Sequence, residues 1–262
     1  MNKSISSTMQ QIFNKVPEIT IFFWITKVLT TGMGEVFSDY LVKHMNPVIA
    51  VGLGAVGLAV SLILQFAVRR YVAWIYWLVV VMVSIFGTMA ADVVHIVLGI
   101  PYVISTIFFT AALALIFAIW YAMEKTLSIH SIFTRKREFF YWCTVLATFA
   151  LGTAAGDMTA TTLHLGYFSS GVLFAVLLAI PAIAYWLFGL NEIFAFWFAY
   201  IMTRPVGASF SDWVSVPATR GGLDWGEGMV SFCMTIIIVA LVGYLQVTQK
   251  DVKSVPAVSR MK

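Results

Sequence analysis

The sequence predicts an all-α membrane protein whose eight transmembrane helices form four pseudo-symmetric two-helix repeats. Three observations lead there. The 262 residues are 61% hydrophobic and 11% charged, with a mean hydropathy of +0.92, which leaves too little polar surface for a water-soluble globule. Eight apolar stretches approach the ~20 residues that a helix needs to cross the hydrocarbon. A pattern of Trp, Gly and Asp at fixed spacing recurs four times.

The spans are expected at residues 19–42, 47–68, 71–98, 102–123, 139–163, 168–188, 192–212 and 228–245. They form one membrane domain, residues 17–246, divided at about 17–70, 71–124, 138–189 and 190–246, between an N-terminal segment 1–16 and a tail 247–262. The N-terminal segment lacks the apolar core and small-residue cleavage site of a removable signal peptide, so the first span is expected to direct insertion. Eight spans put both termini on one side. That side carries Lys3, Lys15, Arg69, Arg70, Lys125, Arg135, Lys136, Arg137, Lys250, Lys253, Arg260 and Lys262, twelve of the sixteen basic residues. The positive-inside rule therefore makes the termini cytoplasmic, in a multi-pass protein of the cell inner membrane. The same distribution, short basic segments between spans, excludes nucleic acid as a partner despite a pI near 9.1. Cys143 and Cys233 fall in apolar stretches and read as helix-packing residues.

The repeat is the informative feature. Trp24, Gly34 and Asp39; Trp77, Gly87 and Asp92; Trp142, Gly152 and Asp157; and Trp197, Gly207 and Asp212 share one spacing without a gap. The first and fourth copies pair as GEVFSD and GASFSD, the second and third as GTMAAD and GTAAGD. Two helices per repeat give every copy the same orientation, so a symmetry axis is expected along the membrane normal. At 1.5 Å per residue the Asp lies ~22 Å beyond the Trp, which places Trp at the inner interface as an aromatic belt and Asp in the outer half of the membrane. The Gly is expected to permit close helix approach.

The aspartates demand compensation, because a carboxylate in hydrocarbon costs ~2.5–3.5 kcal/mol even on insertion scales, and near a helix C-terminus it also opposes the macrodipole. If the four converge, their mutual repulsion calls for protons or a cation in the site. Glu35 adds a fifth acid one turn before Asp39, and Thr88, Thr153 and Ala208 stand at the matching positions. His95 and His164 follow on the outer side of the acids, as does His44, and with the acids they suggest manganese, iron(II) or zinc as a divalent ion. Lys27 and Arg204 are the two basic residues inside spans and candidates to pair with Glu35 or Asp212, as ion-pair or gating groups. Against five acids they leave a deficit of three charges.

Together with the stretches KVPEITIFFWITKVLTTGMGE, TLSIHSIFTRKREFFYW, ALGTAAGDMTATTLHLGY and RPVGASFSDW, the repeats resemble a family of bacterial integral membrane proteins described as four tandem copies of a repeat of unknown function. That resemblance implies two spans per repeat, a characteristic Trp and an inner-membrane location, and implies nothing about substrate. The residues themselves point to a transporter of a small cation, a divalent metal such as manganese, at a central site of Asp39, Asp92, Asp157, Asp212 and Glu35, with the lipid bilayer, the cation and protons as partners and an oligomeric state left open. A cation channel, a membrane metal or cofactor protein, and a structural subunit are the alternatives. No nucleophile motif, paired metal-histidine motif or phosphate loop supports an enzyme.

Overall fold

A computed structural model describes residues 14–252, so Lys3, Lys253, Arg260 and Lys262, counted above for topology, lie outside the described residues. Within them the chain forms eight long helices and no strand: α1 (Ile21–His44), α2 (Pro47–Ala67), α3 (Ala73–Asp92), α4 (Tyr102–Glu124), α5 (Arg135–Asp157), α6 (Gly166–Phe188), α7 (Glu192–Ser215) and α8 (Glu227–Thr248). Local chemistry starts several of them. The side chains of Thr20, Asn46, Thr134 and Asn191 each accept a backbone N–H of the first turn, and Pro47 occupies a position where no helical donor is needed. Lys125, Gly189 and Gln249 end helices in the left-handed conformation.

Six helices are long and apolar enough to cross a membrane, counting α3 and α5 with the turns that extend them. The expected eight are therefore not all distinguished by composition. The other two are α1, which carries Lys27, Glu35, Asp39 and Lys43, and α7, which carries Glu192, Arg204 and Asp212. Their ionic residues dilute the apolar signal, and the residues responsible are mostly turned inward: Lys27, Glu35, Arg204 and Asp212 are all buried.

The motif helices α1, α3, α5 and α7 form a closed inner ring, packed in chain order with α7 returning to α1. Each plainer helix packs on the motif helix of the next repeat: α2 on α3, α4 on α5, α6 on α7, and α8 on α1. A single repeat thus leaves its own second helix without its main partner. The outer helices turn their apolar side chains outward, as at Val48, Ile63, Ile107, Trp186 and Val247, whereas Thr30, Thr31, Ser84, Thr88, Thr148, Thr153 and Thr203 are buried on the inner ring. This inverse of a soluble protein's pattern suits a lipid environment, where association rests on close packing and hydrogen bonding rather than on the hydrophobic effect.

Two contacts repeat around the ring with fourfold regularity. The aromatic residue before each motif Trp packs against the Trp of the following repeat: Phe23 on Trp77 at 5.8 Å between ring centroids, Tyr76 on Trp142 at 5.5 Å, Tyr141 on Trp197 at 6.1 Å, and Phe196 on Trp24 at 5.9 Å. Trp77, Trp142 and Trp197 are accordingly buried, and Trp24 is half-buried. This corrects the expectation of an interfacial aromatic belt; the tryptophans are the inter-repeat joints of the ring, because a neighbouring ring offers edge and face contacts that lipid does not.

The second contact is made by the motif glycines. A Cβ at Gly34 would overlap Ser84, at Gly87 it would meet Phe149 Cβ at 2.9 Å, at Gly152 it would overlap Arg204, and at Gly207 it would overlap Thr31 and approach the Val28 carbonyl at 2.7 Å. Each of these four neighbours stands three residues before the next repeat's glycine. Gly therefore sets the inter-helix distance at the same level in all four joints.

The tryptophan end of the bundle is closed by a buried network in which Lys15 Nζ donates to Glu138 at 2.5 Å and Gln65 Nε2 donates to the same carboxylate at 3.0 Å. Lys15, counted above as a topology signal, is therefore a buried ion-pair partner. Near the other terminus Tyr71 Oη donates to Asp251 at 2.5 Å while the Asp251 carbonyl accepts Glu18 N–H at 2.8 Å. Burial raises the Asp251 carboxyl above the usual carboxylate range, and the Tyr71 hydrogen bond opposes that shift.

The glycine joints make a contrast that thermal unfolding can read. At Gly207 the neighbours a methyl would meet include backbone, so Gly207→Ala is expected to destabilise by about 1–3 kcal/mol or more. Gly52→Ala, on a face with nothing within 4 Å, is expected to leave stability unchanged or slightly raised. Equal melting temperatures for the two variants would contradict the joint.

Candidate functional site

Four residues after each motif glycine's helical neighbour, the ring narrows on its own axis. The position one turn before each Asp holds Glu35, Thr88, Thr153 and Ala208, one from each motif helix. Arg204 rises from α7 one turn further down, and the two protons of its Nη2 are shared among Glu35 Oε2, Thr88 Oγ1 at 2.5 Å and Thr153 Oγ1 at 2.7 Å. Its Nη1 donates to the Thr31 carbonyl at 3.3 Å. A group that touches α1, α3 and α5 from α7 sits at the centre of the ring. Arg204 is fully buried, and the matching positions in the other repeats hold Thr31, Ser84 and Phe149, none of them ionic.

Below this level Lys27 is also fully buried but forms no ion pair among the described residues. Its Nζ lies 4.0 Å from the centroid of the Phe149 ring and 4.3 Å from that of Tyr200. The pairing with Glu35 or Asp212 that Lys27 was a candidate for fails on distance: eight helical residues put it ~12 Å from Glu35 along α1. The Phe149 ring also lies 5.6 Å from the Arg204 guanidinium, so one aromatic ring stands between the two buried basic residues.

Above Arg204 stand the aspartates. Glu35, Asp157 and Asp212 each offer a carboxylate oxygen within 4.8 Å of the other two. Glu35 and Asp212 are buried and Asp157 is half-buried. Asp39 and Asp92 stand outside this group. Asp39 is drawn sideways, 3.7 Å from Lys43, whose ammonium also pairs with Glu227 at the start of α8. Asp92 and Asp157 each end their α-helix and begin a π-helical turn, Val93–Val97 and Met158–Thr162, whereas α1 and α7 run on as α-helix past Asp39 and Asp212. The twofold pairing of motif variants in the sequence thus has a backbone counterpart.

The histidines stand outside the carboxylate group as well. His95 lies within the π turn, its Nδ1 3.3 Å from both the Ile100 carbonyl and Ser105 Oγ and its ring 4.3 Å from that of Tyr102. His164 is exposed, in the left-handed conformation. The gathered donors are therefore all oxygen: the Asp157 and Asp212 carboxylates, and one turn below them Glu35 with the Thr88 and Thr153 hydroxyls at its level.

Fold and site together define a four-repeat helical protein, suited to lipid, with a carboxylate and guanidinium core on its pseudo-symmetry axis. The chain belongs to the family described as Repeat of Unknown Function (DUF347), whose model matches residues 22–71, 75–126, 140–190 and 195–251. Each match begins two residues before a motif Trp. No curated protein and no solved structure matches the chain.

Sequence reading missed two elements of the core. The aromatic residue before each Trp was visible as a doublet in all four repeats, Phe23-Trp24, Tyr76-Trp77, Tyr141-Trp142 and Phe196-Trp197. The role of Thr88 and Thr153 as partners of Arg204 was signalled only by their register with Glu35.

The axial contacts predict strong coupling between Glu35 and Arg204. Removing one partner of a buried pair leaves the other charge uncompensated, so Glu35→Gln and Arg204→Gln are each expected to cost about 3–5 kcal/mol, and the double variant much less than their sum. A double-mutant cycle on thermal or denaturant unfolding measures this, and additive costs would contradict the pair.

Proposed function

We propose that this chain is an inner-membrane carrier for a small divalent cation, with all eight helices crossing the bilayer and both termini cytoplasmic. The observation that carries the reading is the convergence of Glu35, Asp157 and Asp212 from three helices of one ring, within 4.8 Å, in a protein with little charge to spend elsewhere. Like charges at that spacing repel, and a cation among them turns the repulsion into attraction.

The chemistry of the donors narrows the ion. With His95 and His164 outside the group, an all-oxygen set suits manganese, magnesium or calcium better than zinc or iron(II). Three carboxylate oxygens within 4.8 Å of one another are close enough to be bridged by one ion at the roughly 2.0–2.6 Å distances of magnesium, manganese and calcium.

The filled axis favours a carrier over a channel. Beneath the acids the ring interior is filled by Arg204, Phe149, Lys27, Tyr200, Tyr141 and Tyr76, all fully buried, a packing that suits a carrier better than an open conducting pore. Transport then requires rearrangement of the ring, and the repeat joints at Gly and Trp are where helices can rock against one another.

The test is a thermal-shift titration of the purified full chain with manganese, magnesium, calcium, zinc, sodium and potassium. A specific ion at about a hundredfold excess over its Kd should stabilise by about 2.7 kcal/mol. The stabilisation is expected to disappear in Asp157→Asn with Asp212→Asn and to survive Asp39→Asn. If no ion stabilises the wild type, or if the double variant responds unchanged, the proposed site is wrong.

A further inference from the structure

We propose that Arg204 is a tethered counter-ion, a cation built into the chain that holds the oxygen site when no free cation is bound and so allows the empty carrier to reorient. The inference rests on the carrier reading above and concerns how that same site is regulated.

The guanidinium already sits among ion ligands. It takes one carboxylate, two hydroxyls and one backbone carbonyl, contributed by the three other motif helices at the centre of the ring. Those are the oxygen types that replace the hydration shell of a hard cation. Glu35 belongs to both sets: its carboxylate is Arg204's ionic partner and a member of the group with Asp157 and Asp212. A cation entering from the aspartate side therefore competes with Arg204 for Glu35.

Arg204 also has somewhere to go. Its Nε is buried without a hydrogen-bond partner, so its present position does not saturate it. The Phe149 ring lies 5.6 Å away and can retain a displaced guanidinium. Pro205 follows it directly inside α7 and leaves the Ile201 carbonyl without its helical donor, which loosens the helix at the residue that carries the charge.

The functional consequence follows from charge. With Arg204 on Glu35 one of the three gathered acids is neutralised in the empty site, so protons on Asp157 and Asp212 complete its compensation, and moving a compensated site through a low-dielectric environment is far less costly than moving bare carboxylates. Without Arg204 the empty form keeps Glu35 as a bare carboxylate, whereas in the loaded form the cation takes its place as partner. Loss of the tethered charge should therefore spare exchange of bound cation for free cation and abolish net movement, which needs the empty return step.

The experiment compares the full-length wild type, Arg204→Gln and Arg204→Lys in proteoliposomes, with manganese as the probe. It measures thermal-shift affinity, net uptake into manganese-free vesicles, and exchange against internal manganese. Arg204→Gln is expected to bind manganese about tenfold more tightly or better, as for removal of a coupled competitor, to keep exchange, and to lose net uptake. Arg204→Lys keeps the charge but not the forked reach, so it should bind more tightly than wild type and retain net uptake. Unchanged affinity in Arg204→Gln, or equal loss of both transport modes in that folded variant, overturns the inference while wild-type binding leaves the carrier reading intact. If Arg204→Gln does not fold, unchanged affinity in Arg204→Lys overturns it in the same way. No stabilisation of any of the three proteins by manganese, magnesium or calcium overturns the carrier reading and the inference with it.

Discussion

The structure depends on one ionic contact in a place where ionic contacts are hard to keep: Arg204 on Glu35, at the centre of a ring of helices and away from water. A charge buried alone is strongly unfavourable, so each of these residues makes the other tolerable, and the Thr88 and Thr153 hydroxyls and Thr31 carbonyl supply the remaining acceptors. Because the contact involves all four motif helices, it exists only when the ring is closed. The pair is thus a consequence of the fold and a constraint on it.

Closure itself comes from repetition. Every repeat presents an aromatic residue to the next repeat's Trp and a glycine to the residue one level below the next repeat's glycine, and the fourth repeat meets the first in the same way. In lipid, where apolar burial gives helices little reason to associate, such close joints and interhelical hydrogen bonds provide the driving force. The hand-over of each second helix to its neighbour explains why four copies occur in one chain: a lone repeat would separate a helix from the surface it packs on. Symmetry is kept where packing needs it and broken where chemistry is placed, so the level of Arg204 holds a cation in one repeat, an aromatic ring in another, and small hydroxyls in the remaining two.

The architecture was legible because it is periodic. Trp, Gly and Asp at constant spacing survive in all four copies, and helix number follows from apolar length, although α1 and α7 carry enough charge that composition alone does not mark them. The role of the Gly was readable from its size. The role of the Trp was not, because an aromatic residue near a span's end has the same sequence signature at a lipid interface and at a helix joint, and only the doublet with the preceding Phe or Tyr favours the joint. Within the site, the register of Glu35 with Asp39 was visible, whereas the separation of Asp39 and Asp92 from the group was not. For Asp39 it depends on Lys43, which also reaches Glu227 from α8, a contact that leaves no trace in spacing. Lys27 and Arg204 looked alike in sequence, and only depth along the axis distinguishes the one that reaches an acid.

The central claim, that a guanidinium stands on the axis of a closed four-repeat ring, is most directly tested by solid-state NMR of the full chain in lipid bilayers, with 15N-labelled arginine and 13C-labelled glutamate carboxyls. The account predicts a short guanidinium-to-carboxyl distance assigned to Arg204 and Glu35, observed in the absence of added divalent cation and missing in Glu35→Gln. Its absence from the wild type under those conditions, with the protein folded, would contradict the account.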